Sequence, residues 1–260
     1  MTPSDILKTG PAIVTGAGSG LGRALAQKLA AQGIAVALLG RREDALSATA
    51  AGAPDLMHPY VCDVADAAAV KSTVDEIAKT LGTPRILINN AAIYPRRDLL
   101  EVPQGAFMET MDINLGGVVN TVQAVLPYMI DGDGLGRILN VATFADLSPL
   151  PMSAEYSTSK GAARIFTRAL IADIGDRFPD IVVGDWMPGM LATQMGIADG
   201  LAPETAAGWG AALALMHDPA LTGTTFEMDR EILQGSGLKR KLKALLTLSR
   251  PQKPRMITPI

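Results

Sequence analysis

The chain has 260 residues, of which 48% are apolar, 19% charged and 4% aromatic, with one cysteine and a formal net charge of −3. This length suits one large α/β domain or two small ones, and the apolar fraction excludes intrinsic disorder. A single cysteine, Cys62, excludes a disulfide framework and a multi-cysteine metal site, which favours a cytoplasmic location. The few aromatic residues argue against a nucleic-acid partner. No apolar run approaches the ~18 residues of a membrane helix, and we expect no secretory signal in the first twenty residues.

Seven apolar segments alternate with longer stretches in which apolar residues recur three and four positions apart, the spacing of a helix. The segments predicted to be strands are 12–15, 34–39, 58–62, 85–89, 137–142, 181–187 and 224–228. Alternating strands and helices imply right-handed crossovers and a parallel sheet covered on both faces. We therefore predict an α/β fold, a single doubly wound domain with seven parallel strands, over residues 1–236.

The charge is unevenly distributed along the chain. Residues 237–260 hold seven Lys and Arg and no Asp or Glu, whereas the rest holds 16 basic and 26 acidic residues. We treat 237–260 as a basic C-terminal extension. Its leucines 238, 242, 245 and 246 would share one face of a helix. The extension could dock on the acidic body or on a neighbouring subunit, be a solvated disordered tail, or lie on an anionic membrane.

A glycine-rich turn follows the first strand and precedes a predicted helix over 23–32. It has the pattern T-G-x-x-x-G-x-G, with Thr15, Gly16, Gly20 and Gly22 at the defined positions, and not the strict G-x-G-x-x-G spacing. Glycines permit a tight turn and a close approach of the backbone to a pyrophosphate, and the helix N-terminus supplies free N–H donors. This position in the first βα turn favours a dinucleotide site of Rossmann type over a flexible loop.

The second strand ends in Leu39-Gly40-Arg41-Arg42, without the acidic residue that would bind the adenosine ribose of NAD. Arg41, which follows the strand end, is placed for the 2′-phosphate of NADP, so we predict NADP(H) in preference to NAD(H). The alternative is that both arginines merely open a surface helix. Asp63, after the third strand, is placed for the adenine amino group; the alternative is a helix N-cap or a turn residue.

Tyr156 and Lys160 stand four residues apart in a predicted helix, so their side chains share one face. A free tyrosine titrates near pH ~10 and is a poor base, but an adjacent ammonium favours the phenolate. Such a pair could exchange a proton with an alcohol or a ketone near neutral pH. The spacing alone is weakly specific, because ordinary exposed helical pairs show it by chance.

Further motifs accompany this pair in a fixed order along the chain. They are 15–22, Asn-Asn-Ala-Ala at 89–92, Asn114 in Asp-Ile-Asn-Leu, 138–143, Tyr156 with Lys160, and Pro-Gly-Met-Leu-Ala-Thr at 188–193. With these motifs the chain resembles the short-chain dehydrogenase/reductase family over nearly its whole length to about Met228.

The resemblance implies hydride transfer between NAD(P) and a small carbonyl or secondary alcohol, with the nicotinamide carrying the hydride. Tyr156 would exchange the proton on the substrate oxygen, and Lys160 would lower the pKa of Tyr156 and bind the nicotinamide ribose. Asn114 would hold a water in a proton relay, and Thr143 would bind the substrate oxygen. The cofactor would lie against Thr15, Gly16, Ser19, Gly20, Leu21, Gly22, Arg41, Asp63, Val64, Asn90, Ala91, Ala92, Tyr156, Lys160, Pro188, Gly189 and Thr193. The resemblance also implies a homodimer or homotetramer through helices over 118–129 and 162–174.

Two positions and one segment depart from the family pattern. Thr143 replaces the usual serine; it keeps the hydroxyl but adds a methyl group, so we expect activity with a restricted substrate range, the alternative being a degenerate site. Ala92 replaces the usual glycine of Asn-Asn-Ala-Gly. A predicted helix over 203–217 begins ten residues after Thr193, so the segment that covers the substrate is short.

Four side chains could line an apolar substrate pocket, although methionines more often fill a core. They are Met152, Trp186, Met190 and Met195. We expect no metal site, because His58 and His217 lack ligand-like neighbours. The main alternative to an enzyme is a non-catalytic NADP-binding redox sensor or scaffold, and a further one is an interaction protein recruited through its tail.

Overall fold

The computed structural model describes residues 2–103, 105–233 and 253–260, and eight of their segments form one sheet. The strands are β1 (Ala12–Thr15), β2 (Val36–Gly40), β3 (Met57–Val61), β4 (Ile86–Asn89), β5 (Gly136–Val141), β6 (Ile181–Met187), β7 (Thr225–Glu227) and β8 (Arg230–Ile232). Their spatial order is β3-β2-β1-β4-β5-β6-β7-β8. The chain therefore winds outward twice from β1, and the switch between β1 and β4 opens a crevice at the carboxyl ends of the strands.

Helices cover both faces of this sheet, as the predicted α/β fold requires. They are α1 (Pro3–Leu7), α2 (Gly20–Ala30), α3 (Glu43–Ala50), α4 (Ala67–Leu81), α5 (Ala106–Met111), α6 (Gly117–Asp131), α7 (Ala154–Ile174) and α8 (Pro203–Leu215). Buried side chains of α2, α3 and α8 form one apolar layer with the sheet, and those of α4, α6 and α7 form the other. Burial on both faces explains why the strands are apolar throughout rather than alternating.

The seven predicted parallel strands are confirmed, and the sheet has one further strand that was not predicted. β1 to β7 are parallel, but β8 pairs with β7 in the antiparallel direction, with Glu227 opposite Arg230. Met228, whose φ is 49°, and Asp229 form the tight turn between them. A three-residue strand that carries two charged side chains shows no apolar run, so periodicity could not reveal it.

Part of the basic extension packs on the body of the same chain. The Glu231 amide donates to the Arg255 oxygen at 3.0 Å and the Ile257 amide to the Asp229 oxygen at 2.7 Å. Ile257 is 5% exposed and belongs to the apolar layer under α2 and α8. The leucine-rich helix predicted around 238–246 lies outside the described residues.

Within the described part of the chain, one stretch, Ala106–Asp131, is long and apolar enough to cross a membrane by length and composition alone. It comprises α5, a π-helical turn over Asp112–Gly116, and α6. In α6, Val118, Val122 and Val125 are buried in the apolar layer beside the sheet. The packing of this domain accounts for these apolar side chains.

Candidate active site

The glycine-rich turn between β1 and α2 leaves no space for side chains where the backbone closes on itself. Gly16 and Gly20 have φ angles of 67° and 51°, in the left-handed region that glycine adopts at no steric cost. A Cβ on Gly22 would lie 2.3 Å from the Gly16 oxygen and 2.6 Å from Nδ2 of Asn90. The resulting cradle at the start of α2 fits a pyrophosphate, which the free N–H groups and the helix dipole would stabilise.

A cleft of about 1190 Å³ opens in front of this turn, at the carboxyl ends of the strands. The predicted cofactor residues that line it are Gly16, Ser19, Gly20, Leu21, Gly22, Arg41, Asp63, Val64, Asn90, Ala91, Ala92, Tyr156, Lys160, Pro188, Gly189 and Thr193. These residues come from six different segments of the chain, and the fold brings them to one cleft. No group of three or more His, Cys, Asp or Glu that could hold a metal occurs among the described residues.

Thr15 differs from the other predicted cofactor residues, because it does not line the cleft. It is 2% exposed, and its Oγ1 accepts from the Asn90 and Ala91 amides at 3.0 and 2.9 Å. In return, Nδ2 of Asn90 donates to the Thr15 oxygen at 2.9 Å. Thr15 therefore holds the loop after β4 against the glycine-rich turn from behind.

Arg41 and Asp63 face each other across the end of the cleft that lies beside β2 and β3. Nη1 of Arg41 is 3.9 Å from Oδ2 of Asp63, and both side chains are well exposed. The other carboxylate oxygen of Asp63 accepts from the Ala65 amide at 3.0 Å. Asp63 thus combines the turn position and the cleft position that the sequence offered as alternatives.

Tyr156, Lys160 and Thr143 come together at the other end of the cleft, where α7 passes the end of β5. Nζ of Lys160 donates to the Val141 oxygen at 2.8 Å, and burial lowers the pKa of Lys160 to about 8 against the opposing effect of Asp185. Burial also raises the pKa of Tyr156, while a hydrogen bond with Thr143 acts in the opposite direction. Burial thus moves the two pKa values apart, and it raises the pKa of Tyr156 where the resemblance implied a lowered one. Titratable groups with strongly shifted pKa values in a cleft are typical of functional sites.

Asn114 lies behind the cleft and not on its surface. Its side chain is fully buried in the π-helical turn. Oδ1 accepts from the Ile93 amide at 2.8 Å, and Nδ2 donates to the Ile93 oxygen and to Oγ of Ser159, each at 2.9 Å. Asn114 therefore connects the loop after β4 to α7. Because these bonds use both hydrogens of Nδ2 and one lone pair of Oδ1, the predicted relay water could bind only the Asn114 backbone or the second lone pair of Oδ1.

The loop after β4 contributes residues that the sequence analysis did not single out. The Tyr94 ring stacks on that of Tyr156, with centroids 4.3 Å apart and an interplanar angle of 24°. Arg96 lies over the Tyr94 ring, and Nη1 of Arg97 is 3.3 Å from Oε1 of Glu155. The signal in the sequence was the Tyr-Pro-Arg-Arg run at 94–97, which is separated from Asn-Asn-Ala-Ala by Ile93.

The predicted apolar lining holds for two of its four residues. Met190 and Met195 line the cleft, whereas Met152 and Trp186 do not. Trp186 is fully buried, donates from Nε1 to the Met228 oxygen at 3.0 Å, and occupies the space that a Cβ on Gly210 of α8 would need. Since every residue of β6 is buried, the sequence could not show which face Trp186 takes.

The segment between β6 and α8 is short, as predicted, and folds into a compact loop. Leu191 and Leu201 form a parallel bridge, and the Ile197 amide donates to the Leu191 oxygen at 3.0 Å. Gly196 fits inside this loop, because a Cβ there would collide with the Leu191 oxygen at 1.9 Å. The loop forms one wall of the cleft, and none of residues 253–260 lines the cleft.

Asp185 is a buried acid beneath this site, and it gives stability a predictable pH dependence. Oδ1 accepts from Thr167 at 2.7 Å, and burial raises the pKa of Asp185 to about 6 from 3.8. A raised folded-state pKa gives stability that is complete below pH ~4 and is lost as the pH rises through ~6. We compare the free energy of unfolding of Asp185→Asn with that of wild type at pH 4.5 and at pH 7.5. Between these two pH values, the difference should change by about 1–3 kcal/mol in favour of the variant. Urea unfolding at both pH values tests this, with exposed Asp176→Asn as control; an equal Asp185→Asn difference at both would contradict it.

The sheet, the glycine cradle and the Tyr–Lys pair define a dinucleotide-binding oxidoreductase domain. A family model described as short chain dehydrogenase matches residues 11–201, and the chain belongs to this family, which uses a nicotinamide cofactor. It is 35% identical over 62% of its length to probable oxidoreductase EphD of Mycobacterium tuberculosis, covering 28% of that protein. It is 40% identical over 61% of its length to 2-dehydro-3-deoxy-L-rhamnonate dehydrogenase (NAD(+)) of Sphingomonas, covering 64% of it. Its identity to short-chain reductase protein NovJ of Streptomyces niveus is 37%, over 71% of this chain and 70% of NovJ.

Proposed function

We propose that the protein is an NADP(H)-dependent oxidoreductase that transfers a hydride between the nicotinamide and a small carbonyl or secondary alcohol. The observation that carries the proposal is the meeting of Tyr156, Lys160 and Thr143 at one end of a cleft whose other end is the glycine cradle. A scaffold or sensor would need the cradle alone. The proton-transfer group at the opposite end favours an enzyme.

The bound cofactor would supply the hydride, and the protein would manage the proton. In the direction of reduction, Tyr156 donates its phenolic proton to the substrate oxygen, and Thr143 hydrogen-bonds the same oxygen. Lys160, one helical turn away, stabilises the phenolate that forms. Asn114 acts from behind, because its hydrogen bonds to Ile93 and Ser159 fix the loop and the helix that frame the reacting atoms.

The preference for NADP(H) rests on the charge at the end of β2. Arg41 lies in the cleft with a largely exposed guanidinium, and its nearest carboxylate, Asp63, is 3.9 Å away. A guanidinium free to bind bidentately suits a 2′-phosphate. The Sphingomonas relative is named for NAD(+), so the cofactor is where this chain would differ from it.

The remaining proposals concern partners and location. The substrate is a small molecule, and the protein acts in the cytoplasm as a homodimer or homotetramer. Subunits would pair through residues 118–129 and 162–174, within α6 and α7, and Ile165 of α7 is 60% exposed. An apolar side chain so exposed on a long helix is consistent with a covered surface.

Fluorescence titration of the protein with NADPH and NADH, followed by a carbonyl screen with the preferred cofactor, tests this function. We expect NADPH to bind at least about tenfold more tightly, in keeping with a charge-assisted contact to its phosphate. Arg41→Ser should remove this preference, and Arg42→Ser, the neighbouring control, should retain it. Tighter binding of NADH would overturn the cofactor assignment, and the absence of carbonyl-dependent NADPH oxidation would overturn the catalytic one.

A further inference from the structure

Arg96 brings a positive charge to the end of the cleft that holds Tyr156. Its guanidinium carbon lies 5.3 Å from the centroid of the Tyr94 ring, and Nη2 donates to the Gly196 oxygen at 3.0 Å. Neither partner carries a formal charge, and no carboxylate of the described residues lies within 4.0 Å of this guanidinium. This part of the cleft therefore presents a positive charge that has no carboxylate partner among the described residues.

The stacked rings connect this charge to the reacting centre. The Tyr94 centroid is 4.3 Å from that of Tyr156, so the Arg96 guanidinium cannot be farther from the Tyr156 ring than the sum of these two distances. Arg96 also bridges two walls of the cleft, since Tyr94 belongs to the loop after β4 and Gly196 to the loop after β6. A substrate whose oxygen meets Tyr156 can thus reach Arg96 with a group several bonds away.

The neighbouring Arg97 is placed differently, although the sequence presents the two arginines as equivalent. Its guanidinium is 3.3 Å from the carboxylate of Glu155, whose side chain is only 3% exposed. That ion pair neutralises Arg97 and fastens the loop to α7 beside Tyr156. Arg96 therefore holds the charge that remains available to a ligand.

We propose that Arg96 determines substrate specificity by binding an anionic oxygen group, a carboxylate, sulfonate or phosphate, several bonds from the reacting carbonyl. The proposal rests on the proposed function and adds a substrate class to it. A guanidinium has five N–H donors in a planar fork that matches such groups, and one backbone carbonyl occupies little of that capacity. Met190 and Met195 line the cleft as well and suit the apolar carbons between the carbonyl and the anion.

Reduction of paired substrates by NADPH tests the proposal. The pairs are acetoacetate, 4-oxopentanoate and 5-oxohexanoate, each with its methyl ester; acetonyl sulfonate and acetonyl phosphate distinguish the kinds of anion. The variants are Arg96→Gln and, as a matched control, Arg177→Gln. Arg177 also lies over an aromatic ring, 5.1 Å from the Phe178 centroid, but it follows the C-terminus of α7 and does not line the cleft.

We expect wild type to have a higher kcat/KM for at least one anion than for the matching neutral ketone. That neutral ketone is the methyl ester for each carboxylate and methyl acetoacetate for the sulfonate and the phosphate. Arg96→Gln should lower kcat/KM for that anion about 10- to 100-fold, mainly through KM, and leave the esters within about twofold. Arg177→Gln should change neither. A wild type that prefers none of the anions, or an anion preference that survives in Arg96→Gln, would overturn the proposal.

A binding measurement separates this proposal from the proposed function. The fluorescence of protein-bound NADPH is followed while the same anions and esters are added to Tyr156→Phe and to the double variant Tyr156→Phe/Arg96→Gln. Saturable binding of an anion to Tyr156→Phe that is lost in the double variant supports the Arg96 site, whether or not any carbonyl is reduced. If no carbonyl is reduced, only the proposed function is overturned. Reduction of esters without any preference for anions in binding or turnover would remove the Arg96 proposal and leave the enzyme in place.

Discussion

Replacing Tyr156 by phenylalanine is expected to lower kcat for carbonyl reduction about 10³-fold while NADPH still binds. Phenylalanine keeps the ring that stacks on Tyr94, so the cleft should retain its shape. It removes the one hydroxyl of the pair that can donate a proton to the substrate oxygen, and general acid catalysis contributes about 10²–10⁴-fold. Single-turnover oxidation of bound NADPH, followed by absorbance, isolates this step from product release.

The effect should be specific to the position of the hydroxyl. Tyr60→Phe is a matched control, because it removes a tyrosine hydroxyl whose partner is Oγ1 of Thr80 on the surface, 3.0 Å away. Its kcat should stay within about twofold of wild type, as is usual for a surface substitution. Retention of more than a tenth of the wild-type rate by Tyr156→Phe would assign the proton to another group, of which Lys160 is the nearest along the helix.

Local patterns predicted most of the fold because the sheet is buried on both faces. Two strands, β1 and β6, have the predicted bounds, and those of the others differ by at most two residues at either end. β8 was missed because its pairing depends on a turn at Met228 and Asp229 rather than on apolar residues. Its other edge is paired with residues 255–257, a long-range contact that no local pattern encodes.

The candidate site was predictable where chemistry demands a residue type in a fixed local setting. The glycines of the first turn and the Tyr156–Lys160 pair are of this kind, since both depend on the spacing within one element. Tyr94 and Arg96 are not, because their position beside Tyr156 is created by Asn114, which holds Ile93 through two hydrogen bonds. The substrate selectivity that we propose for Arg96 would therefore depend on tertiary contacts that the sequence leaves unspecified.

Replacing Gly22 by alanine is expected to weaken NADPH binding about 10²-fold and to destabilise the fold by about 1–3 kcal/mol. The new Cβ would lie 2.3 Å from the Gly16 oxygen and 2.6 Å from Nδ2 of Asn90. The first of these atoms is backbone, so relief of the clash must move the phosphate cradle itself. The second holds Thr15, so the loop after β4 must move as well. NADPH titration and urea unfolding measure the two effects.

Gly116→Ala provides the control that separates a steric effect from the loss of a glycine as such. Gly116 has a helical φ of −54°, and the nearest atom to a Cβ there is the Met111 oxygen at 3.9 Å. Alanine should therefore fit without a shift and, since it favours helix over glycine by about 1 kcal/mol, maintain or raise stability. NADPH binding should not change. If Gly22→Ala and Gly116→Ala bound NADPH equally well, the turn after β1 would not bind the pyrophosphate. The assignment of Arg41 to the 2′-phosphate would then fail too, because both assignments depend on the same orientation of the dinucleotide in the cleft.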